Sequence, residues 1–245
     1  MYRYLTLFML AVVCLLSFSN PVSAKKKRIL VFSKTAGFHH SSIDEGIAAI
    51  QKLGLENNFD VDTTKNSELI TAKNLKKYAA VVFLSTTGDI FNNEQQKAFE
   101  DYIRAGGGYA GIHAATDTEY DWTWYGKLAG AYFASHPAQQ IAELQVLNNK
   151  TIATKHLPAI WKRKDEWYNF KDIQKGLKVL INLDEKSYKG GINGTEHPVA
   201  WYRDFDGGRS FYTALGHVEE SYTDPLFLKH ILGGIQYAMG VKKME

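Results

Sequence analysis

The segment Ala79–Leu84 (AAVVFL) is apolar at every position. A strand with one wet face alternates apolar and polar residues, so an unbroken run needs cover on both faces. That requirement points to a central sheet sandwiched between helices. The neighbouring segments agree. Arg28–Phe32 (RILVF) reads as a buried first strand, Phe59–Thr63 (FDVDT) as a second and Tyr109–Ile112 (YAGI) as a fourth. Between them lie helical patterns. Ile43, Ile47 and Ile50 repeat on one helical face behind Ser42, with Glu45 placed for a capping box. Asn93 with Gln96 opens a second helix that runs to about Ala105, where Gly106–Gly108 stops it. Alternation of this kind predicts an α/β fold with a mainly parallel sheet and helices on both faces, a three-layer sandwich.

The later half is less regular. Gln139–Leu147 alternates, Leu177–Leu183 is strand-like, and two β-rich runs flank Asp206–Gly208 as a hairpin. Asp224 caps a last helix with Pro225 in its first turn, ending near Met239. No repeat or linker interrupts this order, so residues 25–245 are expected to form one domain.

The first 24 residues read as a secretory signal peptide. Arg3 precedes an apolar run, Leu5–Phe18, that is short for a membrane span. Val22 and Ala24 then occupy the −3 and −1 positions of a cleavage site. An uncleaved anchor is the competing reading of the same run. The leader implies export to the periplasm or the extracellular space, with no stable membrane span after cleavage. Cys14, the sole cysteine, leaves with it. Disulfides, thiolate metal sites and cysteine nucleophiles are then excluded from the mature chain. The net charge of +3 is small, and the basic Lys25–Arg28 cluster reads as a solvated start. No nucleic-acid partner is expected.

Ligands of open α/β sheets bind beyond the carboxyl ends of the strands. Histidines gather there: His39 and His40 after the first strand, His113 with Asp117 after the fourth, His217 with Glu219 after a late one. His113 is the notable one. It ends the run Gly106–Thr118 (GGGYAGIHAATDT) on a surface turn, where many α/β enzymes carry a nucleophilic Ser or Cys. His136 and His197 each precede proline, which holds their backbones extended. Glu166 and Trp167 belong to DEWYNF (Asp165–Phe170), a mixture of carboxylates and aromatics suited to a sugar. Arg209, in the late hairpin, is a further candidate sugar contact.

The runs FSKTAGFHHSSI, GGGYAGIHAATDT, WYGKLAGAYFASHP, DEWYNF and HPVAWYRDFDGGRSFYTALGHVEESY together resemble the ThuA-like (trehalose utilisation) family, from Phe32 to Tyr222. The resemblance implies a flavodoxin-like fold of the class I glutamine amidotransferase-like type. Amidotransferases of that class use a Cys at the elbow and a later His-x-Glu. Here His113 replaces the Cys, while His217-Val218-Glu219 matches the His-x-Glu. Histidine cannot form the thioester that glutamine hydrolysis needs, so amidotransferase activity is not expected. The resemblance implies instead an exported carbohydrate-active protein, working on a disaccharide or a 3-keto-glycoside by hydrolysis, elimination or isomerisation.

His113 and His217, backed by Glu219 and joined by Asp117, are the expected catalytic groups. His39, His40, His136, Glu166, Trp167, His197 and Arg209 are the expected substrate contacts. Imidazoles with a carboxylate serve equally as proton carriers or as ligands of a divalent metal. No compact ligand motif decides between them. A binding protein without turnover is the alternative on the same fold. A flavin is disfavoured, because Phe38, His39 and His40 fill the loop that would cradle its phosphate.

Overall fold

A computed structural model describes residues 26–245; the expected leader, residues 1–24 with Cys14, lies outside them. In chain order the main elements are β1 (Lys27–Phe32), α1 (Ile43–Glu56), β2 (Phe59–Thr64), α2 (Ala72–Leu75), β3 (Ala80–Leu84), α3 (Asn93–Arg104), β4 (Gly108–Ile112) and α4 (Thr123–Ala129). There follow β5 (Tyr132–Ser135), β6 (Gln140–Val146), β7 (Ile160–Asp165), β8 (Asn169–Lys171), β9 (Lys178–Leu183), β10 (Pro198–Phe205), β11 (Gly208–Thr213) and α5 (Pro225–Ala238).

The main sheet runs β2-β1-β3-β4-β11-β10-β9-β6-β7. Its first five strands pair in parallel, the arrangement that the apolar runs predicted. The last four extend it antiparallel. Strand β11 shows the layers directly, since successive side chains on a strand point to opposite faces. Ser210 donates to the Leu128 carbonyl of α4 on one side, while Phe211 packs on α5 at Gly234 on the other. The strand β3 is wholly buried, as its composition requires. None of the helices among the described residues is long and apolar enough to cross a membrane.

Two helix starts differ from expectation. Ser42 makes no cap at α1; its hydroxyl instead donates to the Gly216 carbonyl, 3.2 Å away, because the loop after β11 folds over this helix start. The capping box of α3 sits one residue earlier than expected, on Asn92 and Gln95. At α5, Asp224 caps the Leu226 N–H as expected.

The antiparallel strands determine where the late residues fall. Strand β7 stands four places from β11, so a flat sheet would hold them about 19 Å apart at normal strand spacing. Yet Asp165, at the end of β7, accepts hydrogen bonds from the backbone N–H of Gly216 (3.0 Å) and His217 (3.1 Å). The antiparallel half therefore curls back over the carboxyl edge of the parallel half. Arg163 reinforces the closure with ion pairs to Asp165 and to Asp224 of the last cap.

Candidate active site

The elbow after β4 is tightly made. His113 has φ +53°, a left-handed conformation uncommon in residues other than glycine. Its carbonyl accepts from the Tyr212 hydroxyl at 2.8 Å, and Asp117 N–H closes the turn onto Ala114. Strain of this kind is held only where the surroundings over-determine it. His113 is not on a solvent-facing turn as expected. It is fully buried, because the curled antiparallel half and Tyr168 cover it. The Tyr168 ring lies 4.5 Å from the imidazole, centroid to centroid.

Three other side chains converge on His113. His40, from the loop between β1 and α1, brings its Nε2 to 3.1 Å from His113 Nε2. His217, from the turn after β11, brings its Nδ1 to 3.0 Å from the same atom. Gly216, at φ +109°, makes the turn that aims His217 inward. Glu166, immediately after β7, places Oε2 3.1 Å from His217 Nδ1 and 3.6 Å from His113 Nε2. The four facing atoms all lie within 4.8 Å of one another, a group of the kind that holds a metal ion.

Asp165 keeps this cluster together. Fully buried, it accepts from the N–H groups of Glu166, Gly216 and His217, so one carboxyl group ties the two loops that carry Glu166 and His217. Burial pushes the Asp165 carboxyl above its ordinary range, while Arg163 and the three N–H donors oppose the shift. Burial, with the neighbouring His217 adding repulsion, lowers His40 to about 4. Burial, then repulsion from His40 and His217, holds His113 well below the ordinary histidine value. Both rings are therefore neutral at pH 7.

The remaining expected residues are distributed unevenly. His136 joins the rim: its Nδ1 lies 3.1 Å from Glu166 Oε1, and its side chain is 43% exposed. Asp117 stands nearby, half-buried, with its carboxyl raised by burial and bonded by the Tyr120 hydroxyl. His39 is exposed and bonds only to Thr35.

Four candidates fall elsewhere. Glu219 does not back His217. A 3₁₀ turn starts at Glu219, the side chain is exposed, and Glu166 takes the place expected for it. Trp167 is fully buried and spends its N–H on the Gln140 carbonyl. His197 is buried between Glu185 and the Tyr168 carbonyl, each 2.8 Å away. Arg209 lies at the amino end of β11, paired with Gly108, and bonds the carbonyls of Gly106 and Ala238. It lines a cavity of about 350 Å³ at that opposite edge, among Lys27, Tyr78 and Tyr102. A side chain at the amino end of a strand that bonds carbonyls there does not reach the far rim, so Arg209 is not a sugar contact of this site.

Two contributors were not anticipated. Asp165 sits inside the quoted DEWYNF run, but its role depends on a strand end meeting a distant loop. Gln139 places its side-chain amide 2.7 Å from His217 Nε2.

Fold and site define a flavodoxin-like α/β protein whose elbow after β4 carries a buried histidine. The family model of ThuA, described as trehalose utilisation, matches residues 28–238, and the chain belongs to that family. Among solved structures, a ThuA-like protein from Bacteroides uniformis is 23% identical, with a TM-score of 0.75 over 92% of this chain and 96% of that one. A ThuA-like protein from Parabacteroides merdae is 19% identical, with a TM-score of 0.74 over 90% and 92%. A β-galactosidase from Bacillus circulans shares the fold at 14% identity and a TM-score of 0.59, covering 88% of this chain and 31% of that one. No curated protein matches the sequence.

Proposed function

We propose that the chain is an exported carbohydrate-active enzyme that acts on a disaccharide or a 3-keto-glycoside, without amidotransferase activity. The observation that carries this reading is the buried convergence of His40, His113, His217 and Glu166 at the elbow, opened to solvent on the His136 side. The glycosidase name of one fold relative supports a sugar substrate only as an analogy.

A 3-keto sugar has an acidic C–H next to its carbonyl, and removal of that proton starts elimination or isomerisation. The neutral, buried rings of His40 and His113 are poor proton carriers at pH 7. The proton role falls to His136, which sits at the open side with Glu166 on its Nδ1. Both atoms facing that nitrogen, Glu166 Oε1 and the Pro137 carbonyl, are acceptors, so Nδ1 carries the hydrogen and Nε2 is free to take a proton. A hydrolytic step would use the same group on water.

The test is incubation of the secreted full chain with 3-keto and plain disaccharides, with products followed by NMR. Consumption of a keto-disaccharide that is lost in His136→Ala supports the reading. Tight sugar binding with no product from any substrate would replace it with a binding protein.

A further inference from the structure

We propose that His40 Nε2, His113 Nε2, His217 Nδ1 and Glu166 Oε2 bind one divalent first-row transition metal ion. The inference rests on this cluster being the working site, but metal content is measured without any sugar, so either claim can fail alone.

Donor accounting carries the argument first. His113 Nδ1 faces the Ala214 carbonyl at 2.9 Å. A carbonyl only accepts, so Nδ1 holds the hydrogen and Nε2 presents a lone pair to the cluster. That single lone pair faces two other imidazole nitrogens, at 3.0 and 3.1 Å, and cannot accept from both. A cation at the centre satisfies every facing lone pair at once.

Geometry agrees. Tetrahedral coordination with bonds of about 2.0–2.1 Å separates ligand atoms by about 3.3–3.4 Å. The four separations that involve His113 or join His217 to Glu166 run from 3.0 to 3.6 Å. Imidazole nitrogens with one carboxylate and no sulfur select zinc, nickel or iron rather than magnesium or calcium.

The surrounding contacts are those that orient metal ligands. Ala214 fixes the His113 tautomer. The Gln139 amide nitrogen lies 2.7 Å from His217 Nε2; flipping the amide puts its oxygen there, where it accepts the Nε2 hydrogen and frees Nδ1. His136 holds the second oxygen of Glu166, leaving one for the metal.

The experiment starts from the full chain purified without chelator and analysed for metals. The expected result is one transition-metal ion per chain, removed by chelator and replaced by Co²⁺ with visible ligand-field bands. His113→Ala and His217→Ala are expected to weaken Co²⁺ binding at least a hundredfold. His136→Ala is expected to weaken it about 10- to 100-fold, as loss of an orienting partner does. Circular dichroism checks that each variant is folded, and Glu166→Gln, which keeps the shape, serves if an alanine variant is not. Folded wild-type protein that takes up neither Zn²⁺ nor Co²⁺ overturns the proposal. So does stoichiometric metal in folded His113→Ala and Glu166→Gln. Bound metal without sugar turnover upholds it and sinks the sugar reading instead.

Discussion

Two buried histidines in this protein stand on either side of Tyr168 and have opposite character. His197 presents Nδ1 to Glu185 Oε1 and Nε2 to the Tyr168 carbonyl, each at 2.8 Å. Both partners are acceptors, so whichever ring nitrogen carries a hydrogen has a place to donate it. Glu185 Oε1 also accepts from the N–H groups of Asn193 (2.7 Å) and Gly194 (2.9 Å). This group is a closed latch that fastens the loop before β10. His113 lies under the ring of the same tyrosine, but its inward nitrogen meets two imidazoles and a carboxylate that it cannot all satisfy. A histidine beside a carboxylate is therefore not by itself a functional sign. What separates the two places is bonding capacity left over after the protein has supplied its partners.

The largest expected effect breaks the comparison at its active side. His113→Ala should lower sugar turnover by at least about a hundredfold, because it removes the central ligand of the cluster. It should also empty the metal site. Steady-state kinetics on the best 3-keto substrate measure the first and elemental analysis the second. Normal turnover in the variant would place the chemistry elsewhere. The latch should behave in the reverse way. His197→Ala leaves a buried hole and removes one of three hydrogen bonds to Glu185 Oε1, at a cost of about 2–4 kcal/mol in unfolding free energy. Metal content per folded chain should stay unchanged. Urea denaturation and elemental analysis decide it, and a variant as stable as wild type would refute the latch.

The parallel core and three site histidines were legible in the sequence, because apolar runs demand cover and strand ends demand loops. His40, His113 and His217 follow from that reasoning alone. Glu166 was legible only as composition, within DEWYNF. Its strand, Ile160–Asp165 (IWKRKD), carries four charged residues and gives no strand signal of its own. The curl that returns β7 to the edge is a property of the assembled sheet and leaves no local mark. The same gap explains Glu219. Spacing of two residues puts side chains on one side only in extended chain, and a 3₁₀ turn begins at that residue. Arg209 goes against the carboxyl-end rule itself, since it sits near the start of the strand whose carboxyl end leads to His217.

His230 extends the comparison to a third buried histidine, far from either group. Its Nδ1 bonds the Ala153 carbonyl at 2.9 Å, its Nε2 has no partner, and burial lowers it to about 4. Below pH 6.5 the unfolded chain takes up a proton that the folded ring refuses until about pH 4. The contribution is thus fully present above pH 6.5 and is lost as pH falls through that window. One pH unit is worth about 1.4 kcal/mol, so the loss by pH 4 is on the order of 2–3 kcal/mol. His230→Leu should flatten the fall in unfolding free energy between pH 6.5 and 4 by that amount. An unchanged slope would show that His230 titrates alike folded and unfolded.

The smallest effect tests the elbow backbone and not its ring. His113 holds φ +53°, which costs a residue with a Cβ roughly 1–2 kcal/mol relative to glycine. The imidazole it carries stands at the centre of the cluster, facing His40 and His217. Once that ring is gone, only the strain remains. His113→Gly should then be more stable than His113→Ala by about 0.5–1 kcal/mol, despite the greater chain entropy that glycine loses on folding. Both variants lack the same ring, so the difference between them isolates the backbone from the chemistry. His197 and His230 are absent from the positive-φ residues, so glycine there should lose to alanine by a similar margin. Paired urea titrations at pH 7.5 measure both signs. If glycine lost at all three positions, the elbow would be unstrained, and the choice of histidine there would need no compensation from the site.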